Sequence, residues 1–216
     1  MNRIGSATLA AAAALAMTTG HGAVAQQPRP AAGRTLDLAG LTIGMPRAEA
    51  ERTLRARGYE IFPTAGDGWA GAVERAVANM NGNQFPRIRD QSGVRRIDGR
   101  NGGEKVIVEL VASPTGGEVS SVAYYVPLAG RTPDQLAREL QAKYGRPTTG
   151  GRSSARWCAS PADCSGPTHQ QQRLEANLVG SQMMVGLHPG QAQHARWKAR
   201  VDAAARARGG APRSTF

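Results

Sequence analysis

Apolar and polar positions alternate most cleanly over residues 105–112, where Val106, Val108 and Leu110 fall on one face of a β-branched stretch. A period of two predicts a strand. Pro114-Thr115-Gly116-Gly117 predicts a turn, and residues 119–126 predict the returning strand of a hairpin. A helical period replaces this one at 133–144, where Leu136, Leu140 and Tyr144 lie one turn apart. Thr132 and Gln135 are spaced as a capping box around Pro133, and Gly145 and Pro147 mark the stop.

The rest of the chain reads in the same way. Residues 46–57 predict a helix, with Pro46 at its start, Gly58 at its end, Ala50 and Leu54 on its apolar face and Glu51 four residues before Arg55. Residues 59–62 predict a short strand ended by Pro63. Trp69, Val73, Val77 and Met80 predict a second helix over 67–80 that Asp67 can cap, although Gly71 interrupts it. Residues 81–103 read as a long loop with a short strand near 94–97, and residues 36–43 as a short strand or turn. Residues 156–159, 173–179 and 182–188 predict strands, the last two joined at Gly180-Ser181. Trp197, Val201 and Ala205 share one face of a closing helix over 192–208.

Residues 44–58 echo residues 130–145 in length and outline, and each stretch precedes strands. The expected fold class is therefore α+β: helices packed on an antiparallel sheet, as two helix-plus-strand halves within one domain over 36–206. Around it, residues 1–25 read as a secretory signal peptide. Arg3 precedes an apolar run over 7–17, and Ala23-Val24-Ala25 forms a small-x-small cleavage site. Residues 26–35 read as a flexible leader and 207–216 as a disordered tail. No later stretch is apolar for long enough to cross a membrane as a helix, so the expected location of the mature chain is periplasmic or secreted, with no transmembrane segment.

Composition adds charge to this picture. Among 216 residues, 27 are Lys or Arg and 16 are Asp or Glu, a formal net charge of +11. Such a surplus attracts anions in a salt-sensitive way. It concentrates in Arg87, Arg89, Arg95, Arg96 and Arg100, the candidate binding residues, and again in Arg196, Lys198, Arg200, Arg206, Arg208 and Arg213. Base stacking needs aromatics among the basic residues, and the first cluster has none, so no nucleic-acid partner is expected. An envelope protein or an anionic envelope polymer fits an exported basic chain better.

Catalytic parts are scarce. The nucleophile-elbow, zinc-protease, P-loop and dinucleotide motifs are all absent, so no catalytic residue and no cofactor is assigned. Asp67, Glu104, Glu109 and Glu118 could act as acids, but no spacing singles them out. Cys158 and Cys164 are the only cysteines, and in an exported chain they predict a disulfide. Closing so short a loop contributes about 2.4 kcal/mol on a chain-entropy estimate. The leading expectation is a non-enzymatic protein that binds an envelope protein or an anionic surface through its sheet face and the Arg87–Arg100 stretch. One alternative is a hydrolase site assembled near His188 and the Cys158–Cys164 loop. Another is a metal site made of Cys158, Cys164, His169 and His188, at a spacing that matches no familiar zinc pattern.

Residues 40–50, Gly-Leu-Thr-Ile-Gly-Met-Pro-Arg-Ala-Glu-Ala, resemble the G-hydrophobic-x-x-G-M-x-x-x-E opening of small exported α+β domains. Outer-membrane assembly lipoproteins of the BamE/SmpA type and β-lactamase inhibitor proteins are similar in this respect. The resemblance covers the first helix. It implies helices preceding an antiparallel sheet and a binding or assembly role rather than catalysis, and it carries over no functional residue. The chain departs from the lipoproteins in lacking their anchoring cysteine and in its long Arg-rich stretch.

Overall fold

The structure, a computed structural model, describes residues 36–83, 86–151, 154–158, 164 and 171–209. The expected signal peptide, the leader over 26–35, His169 and residues 210–216 lie outside them. Among the described residues, eight strands form one antiparallel sheet: β1 (Glu60–Gly66), β2 (Gly93–Asn101), β3 (Glu104–Val111), β4 (Glu118–Pro127), β5 (Thr149–Gly150), β6 (Ser154–Cys158), β7 (Arg173–Val179) and β8 (Gln182–His188). Their order is β1-β2-β3-β4-β8-β7-β6-β5. Four helices accompany them: α1 (Arg47–Ala56), α2 (Trp69–Met80), α3 (Pro133–Tyr144) and α4 (Gln191–Ala207). This is the expected α+β class.

The order is symmetric about the β4–β8 seam. Helix α1 precedes the meander β1–β4, and α3 precedes the meander β5–β8. The glycines that frame each helix agree as well: Gly44 and Gly130 have φ of 84° and 82°, Gly58 and Gly145 of 83° and 77°. Both helix exits need a left-handed residue, which only glycine supplies without strain. Among the described residues, the first half alone carries a helix, α2, between its first two strands.

One sheet face is the core. Ile97, Val106, Val108, Val119, Val122, Leu174, Met183, Val185 and Leu187 meet Ala50 and Leu54 of α1, Leu136 of α3, and Leu38 and Leu41 of the turn that precedes α1. That turn is what residues 36–43 form: Leu38 and Leu41 exchange backbone hydrogen bonds across Ala39 and Gly40. Helix α3 holds it down, with Tyr144 Oη donating to the Asp37 carbonyl at 2.7 Å and Lys143 paired with the Asp37 carboxylate at 2.9 Å. The capping box of α3 forms with both of its hydrogen bonds, as its spacing predicts.

Three local expectations are corrected. The strand after α1 runs through Pro63 to Gly66, because β1 is an edge strand where a missing N–H need not cost a ladder bond. The short strand expected near 94–97 within a long loop extends over nine residues, 93–101, its charged positions facing solvent and its apolar ones the core. Asp67 does not cap α2; it pairs with Arg75 at 2.6 Å. Asp90, from the segment before β2, accepts the Gly71 N–H at 3.0 Å and does the capping from outside the helix.

This docking explains the glycine inside α2. A Cβ on Gly71 would collide with the Asp90 carbonyl and lie 2.9 Å from Ile88 Cγ2. Gly71→Ala should therefore destabilise the fold by at least about 1 kcal/mol in urea titrations, although alanine is the better helix former. A neutral or stabilising result would show that this segment yields freely.

Candidate functional site

The sheet face opposite the core is open. Strand register lines up its side chains in rows across seven strands. The middle row reads Phe62, Asp98, Ile107, Ala123, Gly186, Glu175 and Arg156. The row beside it reads Glu60, Arg100, Lys105, Tyr125, Met184, Asn177 and Ser154. Of these fourteen residues only Gly186 is buried. Ile107, Ala123, Tyr125 and Met184 thus form a partly exposed apolar strip over β3, β4 and β8, and Phe62 stands 43% exposed at the edge with the Arg100 guanidinium over its ring.

Charge clusters flank the strip on both sides. On β2 and β3, Asp98 accepts two hydrogen bonds from Arg96, at 2.7 and 2.8 Å, with Lys105 at 3.7 Å. The Arg96 hydrogen bonds hold the Asp98 carboxyl below its ordinary pKa against the opposing effect of burial. On β6 and β7, Glu175 takes Arg173 at 2.8 Å and Arg156 at 2.9 Å. Burial works against ionisation of Glu175, but these two arginines and the neighbouring His188 outweigh it and lower its pKa. The two clusters occupy corresponding strand pairs of the two halves, since β2-β3 stands to β4 as β6-β7 stands to β8.

The candidate arginines are dispersed rather than gathered. Arg87 and Arg89 are exposed in the segment before β2. Arg95 is exposed at the register break between β1 and β2, next to Gly66 and between the core-packed Val94 and Arg96. Arg96 and Arg100 reach the open face, where Arg96 is already paired.

The four acids find separate tasks. Glu109 faces the open side next to Arg96, and Asp67 holds Arg75. Glu118 anchors α4 through Arg200 and Trp197. Glu104 accepts a hydrogen bond from Tyr59 at 2.7 Å on the core side.

Cys158 and Cys164 form the expected disulfide. Both sulfurs are consumed in it, so the metal set with His169 and His188 lacks two of its four ligands, and His169 lies outside the described residues. His188 lies half-buried over Gly186, where a Cβ would sit 2.5 Å from its Nε2. It lines neither the two cavities under α3 nor the one beside Glu118 and Trp197. The carboxylate beside it, Glu175, is engaged by two arginines, which leaves it poorly placed to orient an imidazole as a general base.

Beneath α3, on the core side, lies a cavity of about 500 Å³ that no sequence pattern suggested. Compared with protein-family models, curated proteins and solved structures, the chain matches none of them.

Proposed function

We propose that this chain is an exported, non-enzymatic binding protein that uses the open sheet face to hold another envelope protein. The observation that carries the reading is the apolar strip of Ile107, Ala123, Tyr125 and Met184, left partly exposed between two flanking ion-pair clusters. Apolar and aromatic centres with polar rims are how protein interfaces are built. A binding role is also what the resemblance of residues 40–50 implies.

Charge selects a protein over an anionic polymer as the partner. Counting Arg95 at its edge, the open face carries Arg95, Arg96, Arg100, Lys105, Arg156 and Arg173 against Glu60, Asp98, Glu109 and Glu175. Its surplus is two of the chain's eleven net positive charges, and most of these groups already satisfy one another. The net positive charge of the chain therefore lies mainly elsewhere, on residues such as Arg52, Arg87, Arg89 and Arg206. Long-range attraction from those sites speeds encounter more than it sets affinity.

The test is affinity capture from envelope extract at low and high salt. The wild type should retain one partner at high salt. Tyr125→Ala and Ile107→Asp, both at partly exposed positions, should each weaken that retention about tenfold or more. The double variant Arg87→Ala, Arg89→Ala should retain it. Capture that survives both face variants, or that vanishes in high salt and follows Arg87 and Arg89, would replace this reading with binding to an anionic surface.

A further inference from the structure

The cavity beneath α3 has an apolar floor and a charged mouth, where Arg57, Arg131 and Lys143 stand with Glu104 and Glu139. Val126, Leu136, Met183 and Val185 line its depth, with Tyr59 only 6% exposed among them. Its volume of about 500 Å³ falls within the range of small-molecule sites. A second cavity of about 230 Å³ adjoins it under the same helix, with Ala137, Pro147, Ala155, Trp157 and Ala176 in its wall. Leu140 and Met183 belong to both walls. In the second cavity Gln141 and Ser154 are the polar side chains of an otherwise apolar wall.

The polar groups of the mouth are not equivalent. Glu104 receives the Tyr59 hydroxyl and lies within hydrogen-bonding reach of Tyr124. Burial and these neighbours push the Tyr124 pKa far above its ordinary value, so both phenols stay protonated as donors. Lys143 is tied to Asp37, and Arg131 to Glu139 at 3.2 Å. Arg57 differs: among the described residues no carboxylate comes within ion-pair distance of its guanidinium, which rests over the Ala39–Gly40 turn at the mouth. Glu104 also has no basic partner among the described residues, but the two phenols hold it, so Arg57 is the charged group of the mouth left to meet a ligand's head.

We propose that the joined cavities bind a single-chain amphipathic carboxylate of the medium-chain fatty-acid type, its head at Arg57 and its chain running past Leu140 and Met183. The site is independent of the protein-docking reading, because it lies on the other side of the sheet. Isothermal titration with decanoate should give saturable one-to-one binding by the full chain. Affinity should rise about tenfold or more from hexanoate to decanoate, as added methylenes leave water. Decanoate should exceed decyltrimethylammonium by a similar factor.

Arg57→Gln should remove the preference for the anion while leaving decanol binding unchanged. Leu140→Trp should block the passage and abolish binding of both. If that variant does not fold, Ala137→Leu narrows the far cavity alone and should erase the gain from hexanoate to decanoate. The proposal is overturned if the wild type shows no saturable uptake, if anion and cation bind equally, or if the filled variants fold and keep wild-type affinity.

Discussion

Leu187→Ala should lower stability by about 2–5 kcal/mol, a large part of the 5–15 kcal/mol that holds a domain of this size together. Leu187 is fully buried on β8 and faces Val122 of β4 across the seam between the two halves. Truncation removes its transfer free energy and leaves a void that a sheet paired on both sides closes poorly. The urea midpoint should fall with its slope unchanged. The consequence beyond magnitude concerns cooperativity. Among the described residues, strands β4 and β8 are the only sheet link between the halves, so exchange of amides in β3 and in β7 should accelerate by the same factor. Acceleration confined to β7 would mean that the halves unfold separately. Val179→Ala, at a position 55% exposed, is the control and should stay within about 0.5 kcal/mol.

The parts of the fold legible in the sequence are those whose signals are local. The capping box of Thr132 and Gln135 and the alternation of Val106, Val108 and Leu110 each lie within one element, and both stand in the structure. The extent of β2 was hidden because only Ile97 and Gly99 of its nine residues are buried, and Gly99 contributes no apolar side chain. A Cβ on Gly99 would meet Val106 Cγ1 at 2.5 Å, so the glycine that reads as a turn is a close approach of two strands. Register hid the candidate sites as well. Tyr125 meets Met184, and Tyr59 meets Glu104, only after strands distant in sequence have paired. A break in register between β1 and β2 then falls at Arg95, where alternation along the sequence gives no guide. The surplus of arginine was visible in the composition, but its distribution was not.

Glu118 gives the second large effect, and its sign with pH is fixed by its partners. It stands at the start of β4, where Arg200 donates to both carboxylate oxygens at 2.8 and 2.9 Å and Trp197 Nε1 donates at 3.1 Å. These hydrogen bonds fasten α4, whose other main neighbour is α2. Glu118→Gln keeps the shape but removes the charge, and should cost about 2–3 kcal/mol at neutral pH. The Arg200 hydrogen bonds lower the Glu118 pKa below its ordinary 4.5, overcoming burial, with the Trp197 hydrogen bond and the Arg200 and Arg196 charges acting in the same direction. A carboxyl whose folded pKa is depressed stabilises fully above its unfolded value and loses that contribution as pH falls through the folded one. The stability gap between wild type and Glu118→Gln should therefore be constant near neutrality and shrink below about pH 4.5. Asp98 and Glu175 remain in both proteins, so the variant keeps an acid limb of its own. Amide exchange within α4 should quicken more than exchange in the core strands, because the Glu118 carboxylate is what ties this helix to the sheet. Lys198→Ala breaks only the exposed Lys198–Asp202 pair of the same helix and should shift stability by less than about 0.5 kcal/mol at any pH. A gap between wild type and Glu118→Gln equally wide at pH 3 and pH 7 would show that α4 is held by packing alone.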